Sequence, residues 1–263
     1  MDKQQLLVVK IGGNVINDDG ELHQFLTDFA ALSQPRILVH GGGKLATELA
    51  NKLEIPVQMV DGRRITDAEM LKIVTMVYGG LINKNSVAQL QKLGCNAIGL
   101  TGADANIMLA KKRSGWDRDY GFVGDIERID SQMLATLLNS GLTPVLAPLT
   151  HDGDGNLLNT NADTIAAAVA QSMIANFHVS LMYCFEKKGV LENPADPESV
   201  ISSINPLTYN DLKTKGIISA GMIPKLDNAF SAIAAGVEKV HICHAKDFRK
   251  IAGGESAGTL LLP

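Results

Sequence analysis

The sequence predicts an α/β protein whose mostly parallel sheet is covered by helices on both faces. Two observations carry that prediction. Strand-like and helix-like stretches alternate almost throughout, the pattern of parallel strands joined by crossover helices. The stretch "LLVV" at 6–9 is also a continuous apolar run, which suits a strand buried on both faces. In such sheets ligands gather at the carboxyl ends of the strands.

The first strand is expected over 5–11, then a helix over 21–33 and a strand over 35–40. "HGGGKLATEL" opens a helix over 43–53. A strand over 56–60 leads to a long helix over 66–92, capped by Thr66 or Asp67. A strand follows over 95–100. Residues 103–122 are polar, hold Trp116 and read as a hairpin or loop at the rim. Strands are then expected over 120–128 and 143–147, with a helix over 130–140 between them. "HDGDGN" (151–156) is a turn: Leu157 stands where a calcium loop needs glycine. An Ala-rich helix over 161–175 precedes a strand over 178–184. Helices over 206–214 and 224–236 and strands over 239–243 and 258–262 complete the chain. A division into lobes 1–176 and 177–263, packed as one compact domain, is expected where "MIANFHVSLMYCF" begins a second set of strands.

Chemistry-bearing residues sit at the ends of these elements. Lys10 closes the first strand and is followed at once by Gly12 and Gly13. A buried strand has no structural need to end on an ammonium beside bare backbone. Gly41, Gly42 and Gly43 leave amide N–H groups uncovered at a helix N-terminus, a ready anion site, where a plain turn needs one or two glycines. His40 before them reads as a turn residue. Arg63 and Arg64 follow a strand, and one of them is expected to clamp a carboxylate bidentately. Asn159, Asn161 and Asp163 precede the Ala-rich helix, and one of them caps it. Lys225, next to Pro224 in the first helical position, opposes the macrodipole unless an anion lies there.

This set holds lysines, glycine turns, an aspartate and an arginine. It lacks a Ser-His-Asp set, an activated cysteine and any His/Cys cluster at metal spacing. Chemistry that needs positive charge and amides, with no nucleophile, is phosphoryl transfer. A second reading remains open at this point. Gly41-x-Gly43-x-x-Ala46, with Asp61 about 20 residues on, fits the dinucleotide pattern of an NAD-dependent oxidoreductase, although it leaves Lys10 without a task.

Composition bounds the rest. The 263 residues are 46% apolar and 20% charged with net charge −4, ordinary for an enzyme and against nucleic acid as a partner. No apolar run is long enough for a membrane span, and "MDKQQ" does not read as a signal peptide. Cys95, Cys184 and Cys243, an odd number without paired spacing, read as reduced buried thiols of a cytoplasmic protein.

"VVKIGGNVI", "LVHGGG", "DGRRITD", "GFVGDI", "LLNTNADTIAAAVA", "GIISAGMIPKLDNAF" and "GTLLL" together resemble the amino-acid kinase superfamily over nearly the whole chain, in its order and spacing. "HGGG" followed by "GRRIT" favours the acetylglutamate branch. The resemblance implies a three-layer αβα sandwich, an acylglutamate-binding N-terminal half and an ATP-binding C-terminal half. It implies ATP with Mg²⁺, no protein metal site, and phosphorylation of the γ-carboxylate of N-acetyl-L-glutamate, or of another N-acylglutamate such as N-succinylglutamate, in arginine biosynthesis. By the same resemblance Lys10 and Lys225 stabilise the moving phosphoryl and Asp163 holds both lysines. Gly13 approaches the phosphates. Gly42, Gly43, Arg64 and Asn159 meet the substrate. ATP contacts fall on Glu186, Lys187, Lys188, Gly189, Val190 and Leu191 and on Ile217, Ile218 and Ser219. Glu186 stands where the family has an aspartate. The resemblance also implies a homodimer. The short stretch before the first strand leaves little chain for the N-terminal helix that links arginine-inhibited members into hexamers, so insensitivity to arginine is expected.

Overall fold

The computed structural model describes residues 3–60, 63–114, 118–218 and 222–263. Its strands are β1 (Gln4–Ile11), β2 (Arg36–His40), β3 (Met59–Val60), β4 (Arg63–Arg64), β5 (Ala97–Leu100), β6 (Met108–Lys112), β7 (Gly124–Ile129), β8 (Thr143–Leu146), β9 (Leu149–His151), β10 (Leu157–Asn159), β11 (Phe177–Phe185), β12 (Ser203–Ile204), β13 (Lys239–His244) and β14 (Thr259–Leu261). Eight of them form the central sheet in the order β12-β14-β13-β11-β1-β2-β8-β5. Every pairing in it is parallel except β13 with β14. A smaller sheet, β10-β9-β6-β7, and the β3–β4 ribbon are separate from it.

The helices are α1 (Gly13–Asn17), α2 (Asp19–Ala30), α3 (Gly43–Lys52), α4 (Ala68–Val74), α5 (Asn83–Lys92), α6 (Ser131–Asn139), α7 (Ala162–Met173), α8 (Pro206–Thr214), α9 (Ile223–Ala234) and α10 (Phe248–Ala252). β1 shows why there are three layers. Successive strand residues point to opposite faces. Leu6 and Val8 enter a core shared with α6, α7, α8 and α9, while Leu7, Val9 and Ile11 enter a second core shared with α1–α5 and α10. A run apolar at every position is what a strand with two dry faces requires. The αβα sandwich is therefore the observed fold.

Several expectations need adjustment. The strand expected over 56–60 shrinks to Met59–Val60, and the one over 120–128 starts only at Gly124. The rim segment 103–122 contains a true strand, β6, which pairs with β7 through a register shift at Leu109/Ala110. Trp116 lies outside the described residues. The helix expected over 66–92 is continuous but changes character: Thr75–Ile82 is π-helical between α4 and α5. "HDGDGN" closes the β9–β10 hairpin, with Leu157 opposite His151. All three cysteines are buried and free. Cys184 and Cys243 face each other on paired strands with their sulfurs 3.7 Å apart. Among the described residues no helix is long and apolar enough to cross a membrane.

Candidate active site

β1 lies between β2 and β11, all running the same way, so their carboxyl ends meet at one edge. The chain leaves β1 toward β2 on one side and returns later to β11 on the other. This is the kind of switch point where α/β sheets open a crevice. Gly12 N–H donates to Cys184 O (2.9 Å) and Gly41 N–H donates to Ile11 O (3.1 Å), so the two glycine turns start side by side. A Cβ on Gly41 would lie 3.5 Å from the Gly13 nitrogen.

Gly42 is the N-cap of α3 with φ of 155°, and a Cβ there would meet Ile82 Cδ1 at 2.5 Å and the Tyr78 ring at 2.8 Å. Only glycine meets both demands. The carbonyls of this turn are held from outside. His40 Nδ1 lies 2.8 Å from Gly41 O, and Arg64 Nη2 donates to Gly43 O at 2.8 Å.

Lys10, at the end of β1, is 9% exposed, and its ammonium lies 2.7 Å from Asp163 Oδ1. Lys225 reaches the other carboxylate oxygen from α9. Asn161 sets Asp163 in place by capping α7, accepting from the N–H of Asp163 (2.8 Å) and of Thr164 (3.1 Å). Of the three short polar residues ahead of this helix, Asn161 is thus the cap. Asn159 instead donates to Thr66 Oγ1 at 2.9 Å.

Burial works against the Asp163 carboxylate, yet the two ammonium groups prevail and hold it well below the usual carboxylate range. Lys225 shifts down, chiefly by burial and also by Lys10, against the pull of Asp163 and Glu186. The Tyr183 and Phe185 rings flank its ammonium, with centroids 5.8 and 5.7 Å away.

Lys10, Gly13, Gly41–Gly43, Arg64, Asn159 and Asp163 line one cleft of about 210 Å³. The fold thus gathers residues separated by some 150 positions of chain. Arg63 lines it too, as do Met59, Tyr78, Val123, Pro148 and Thr160, which the sequence did not flag as site residues. Tyr78 sits on the π-helical stretch, whose wider turn no hydrophobic period reveals; such stretches often mark functional sites. Arg64 is 7% exposed and donates to Thr47 Oγ1 at 2.8 Å as well as to Gly43, so it is fixed before any ligand arrives.

The residues expected to meet nucleotide lie elsewhere, beyond β11. Lys187, Gly189, Val190, Leu191 and Ile218 surround a separate small recess with Pro194 and Met222. Glu186 and Lys188 are exposed beside it, Lys188 pairing with Glu198. Ile217 follows α8, its N–H donating to Leu212 O at 3.1 Å. Ser219 lies outside the described residues.

A parallel sheet with two lysines around one aspartate at its carboxyl edge, beside paired glycine turns, directs attention to phosphoryl-transfer folds. Residues 5–244 match the amino acid kinase family, and the chain belongs to that family. It is 59% identical over 261 residues to the acetylglutamate kinase of Cytophaga hutchinsonii, covering 98% of this chain and 99% of that one. It is 56% identical over 240 residues to the acetylglutamate kinase of Bacteroides fragilis, covering 91% and 92%. Within the family it therefore falls with the acetylglutamate kinases. The crystal structure of smu.665 from Streptococcus mutans UA159 superposes with a TM-score of 0.79 at 28% identity, covering 97% of this chain and 98% of that one. Family membership decides against the dinucleotide reading of the Gly41–Ala46 turn, whose required acid, Asp61, lies outside the described residues.

Proposed function

We propose that this kinase transfers the γ-phosphoryl of ATP to the γ-carboxylate of N-acetyl-L-glutamate, giving the acyl phosphate, as a step of arginine biosynthesis. One observation carries the reading: Lys10 and Lys225 converge on a single aspartate, Asp163, that lines a cleft together with a fixed arginine and two glycine turns. The attacking carboxylate is ionised at neutral pH, so no strong general base is needed. The obstacle is repulsion between anions, and the lysines relieve it.

In this reading Lys10 and Lys225 neutralise charge on the phosphoryl in flight, and Asp163 keeps their ammonium groups apart and aimed. Gly13 lets phosphate oxygens come close. Arg64 takes the α-carboxylate, while Gly42, Gly43 and Asn159 line the substrate side. Nucleotide contacts fall to Glu186, Lys187, Lys188, Gly189, Val190, Leu191, Ile217, Ile218 and Ser219. The acylglutamate half is residues 1–176 and the ATP half 177–263.

Mg²⁺ enters with the nucleotide. Among the described residues no group of three acids, histidines or cysteines could hold a metal, and the cleft's own carboxylate, Asp163, is occupied by both lysines. An ion that arrives with the nucleotide would be held mainly through phosphate oxygens and water. The same reading makes the enzyme a cytoplasmic homodimer acting on small molecules. The test is ADP release with N-acetyl-L-glutamate, against glutamate and aspartate as controls. Turnover confined to the acylated substrate is expected, and equal turnover of free glutamate would refute the substrate assignment.

A further inference from the structure

His40 has no task in this scheme. It ends β2 on the face it shares with Leu38, and it is fully buried. A polar ring there is costly unless both nitrogens are satisfied, and both are. Gly41 O can only accept, so Nδ1, 2.8 Å away, carries the proton. Nε2 is then the acceptor. Asn83 Nδ2, on α5, donates to it at 3.2 Å and gives its other hydrogen to Val145 O of β8 at 2.9 Å. The central sheet thus orients the Asn83 amide, and that amide agrees with Gly41 O on one tautomer of His40. Burial lowers the pKa of the ring to about 4, so it is neutral at neutral pH.

The bond to Gly41 O restrains a segment that has little else to restrain it. Three consecutive glycines rotate more freely than any other backbone. A peptide unit is planar and trans, so its N–H points opposite to its C=O. Gly41 O points at His40, which is not among the described residues lining the cleft, whereas Gly41, Gly42 and Gly43 all line it. The Gly42 N–H at the other side of that peptide therefore points toward the cleft. Farther along the turn, Gly43 O is tied by Arg64 Nη2 at 2.8 Å and by Thr47 Oγ1 at 2.9 Å. Among the described residues the N–H groups of Gly42 and Gly43 have no acceptor, which leaves them for an anion in the cleft.

Resting on the kinase reading above, we propose that His40 is a positioning residue: its Nδ1–H fixes the Gly41–Gly42 peptide so that the Gly42 N–H holds the reacting γ-carboxylate in line with the phosphoryl group. His40 itself touches neither substrate nor nucleotide. The reaction is unchanged: the γ-carboxylate oxygen bonds to the γ-phosphorus of ATP as the bond to the ADP oxygen breaks, and no proton passes through the ring. An error of about 1 Å in such a geometry can cost on the order of a hundredfold in rate.

Two variants separate this role from a purely structural one. In His40→Asn the amide nitrogen stands where the ring carries Nδ1, so the bond to Gly41 O is kept and the one to Asn83 is lost. In His40→Gln the amide nitrogen stands where the ring carries Nε2, so the reach to Asn83 is kept and the donor to Gly41 O is lost. Steady-state ADP release is measured with MgATP and the faster of N-acetyl- and N-succinyl-L-glutamate, beside urea unfolding of the same proteins. His40→Gln is expected to lower kcat roughly tenfold to a hundredfold. His40→Asn should stay within about threefold of the natural chain, although it leaves a gap beside Asn83 and is the less stable of the two. KM for MgATP should not move in either. Losses of kcat that follow the losses of stability, or equal kcat in the two variants, overturn the proposal and leave the kinase reading standing. Nitrogen NMR of the imidazoles, with His40 assigned by the signals missing in His40→Asn, should show Nδ1 protonated and Nε2 bare in the natural chain. The opposite tautomer also overturns the proposal, and it needs no variant to turn over. No ADP release by the natural enzyme with either acylglutamate overturns the kinase reading and this proposal with it.

Discussion

At the scale of single residues, the pairing of Lys10 and Lys225 through Asp163 governs what each substitution does. Lys10→Ala and Lys225→Ala should each lower kcat by several orders of magnitude with small KM changes, because their charge matters most in the transition state. Steady-state kinetics check this, and near-normal turnover in either variant would remove the lysines from the mechanism. Burial lowers the Lys225 pKa, so activity should decline on the alkaline side before an ordinary lysine would titrate. Arg64→Lys should raise KM for the acylglutamate sharply while leaving kcat closer to normal, since a point charge cannot replace a fork that also holds Gly43 O and Thr47. His40 makes a separate pH statement. It is fully buried, Nδ1 lies 2.8 Å from Gly41 O, Asn83 Nδ2 lies 3.2 Å from Nε2, and burial lowers its pKa from 6.5 to about 4. The unfolded chain therefore binds the proton more readily than the folded one. Stability from this group is complete above the unfolded pKa and is lost as pH falls from about 6.5 to about 4. The loss amounts to about 3 kcal/mol. Urea midpoints measured across that window should fall for the natural chain and flatten in His40→Gln.

At the scale of elements, two helix starts build the cleft. Asn161 closes the first turn of α7 and so fixes the carboxylate two residues on. Asn161→Ala should cost about 1 kcal/mol of stability and lower kcat as well, because the turn that carries Asp163 loosens. A stability loss with unchanged kcat would show that the two lysines alone hold Asp163. The start of α3 is stricter. Gly42→Ala places a Cβ against Ile82 and Tyr78 at a φ that side chains avoid, at a cost of about 1–3 kcal/mol. The clash falls on the π-helical stretch that brings Tyr78 to the cleft, so KM for the acylglutamate should rise along with the stability loss. Denaturant unfolding and substrate titration on the same variant separate the two effects.

At the scale of the molecule, the central sheet runs unbroken from the strands beside the cleft to those beside the recess proposed for the nucleotide. β1 and β11 pair along eight residues each. The cleft and the recess beyond β11 are thus fixed to neighbouring strands of one body, which suits a reaction dominated by positioning. Met76 and Leu81, on the π-helical stretch, are each 53% exposed. The homodimer expected from the family should appear in light scattering as twice the 28.0 kDa chain mass, and a monomer at working concentrations would refute it.

The sequence by itself determined the layers and flagged many of the residues that line the cleft. The continuous apolar run 6–9 suits a strand with two dry faces, and an ammonium just ahead of two glycines has no purely structural use. Lys10, Gly42, Gly43, Arg64, Asn159 and Asp163 were legible for that reason, because their chemistry departs from what their elements need. Tertiary structure alone decided the rest. Tyr78 reaches the cleft through a π turn that leaves no periodic trace, and Met59, Val123 and Pro148 are ordinary apolar residues until the fold gathers them at the cleft. His40 looks like a turn residue in one dimension and is a buried hydrogen-bonded imidazole in three. Arg63 and Arg64 are adjacent letters in the sequence. Only the packing separates them, because Arg64 meets Gly43 and Thr47 whereas the carboxylate nearest in effect to Arg63 already belongs to Arg113. Local chemistry is written in the order of residues, but which charge finds a partner depends on contacts between segments far apart in the chain.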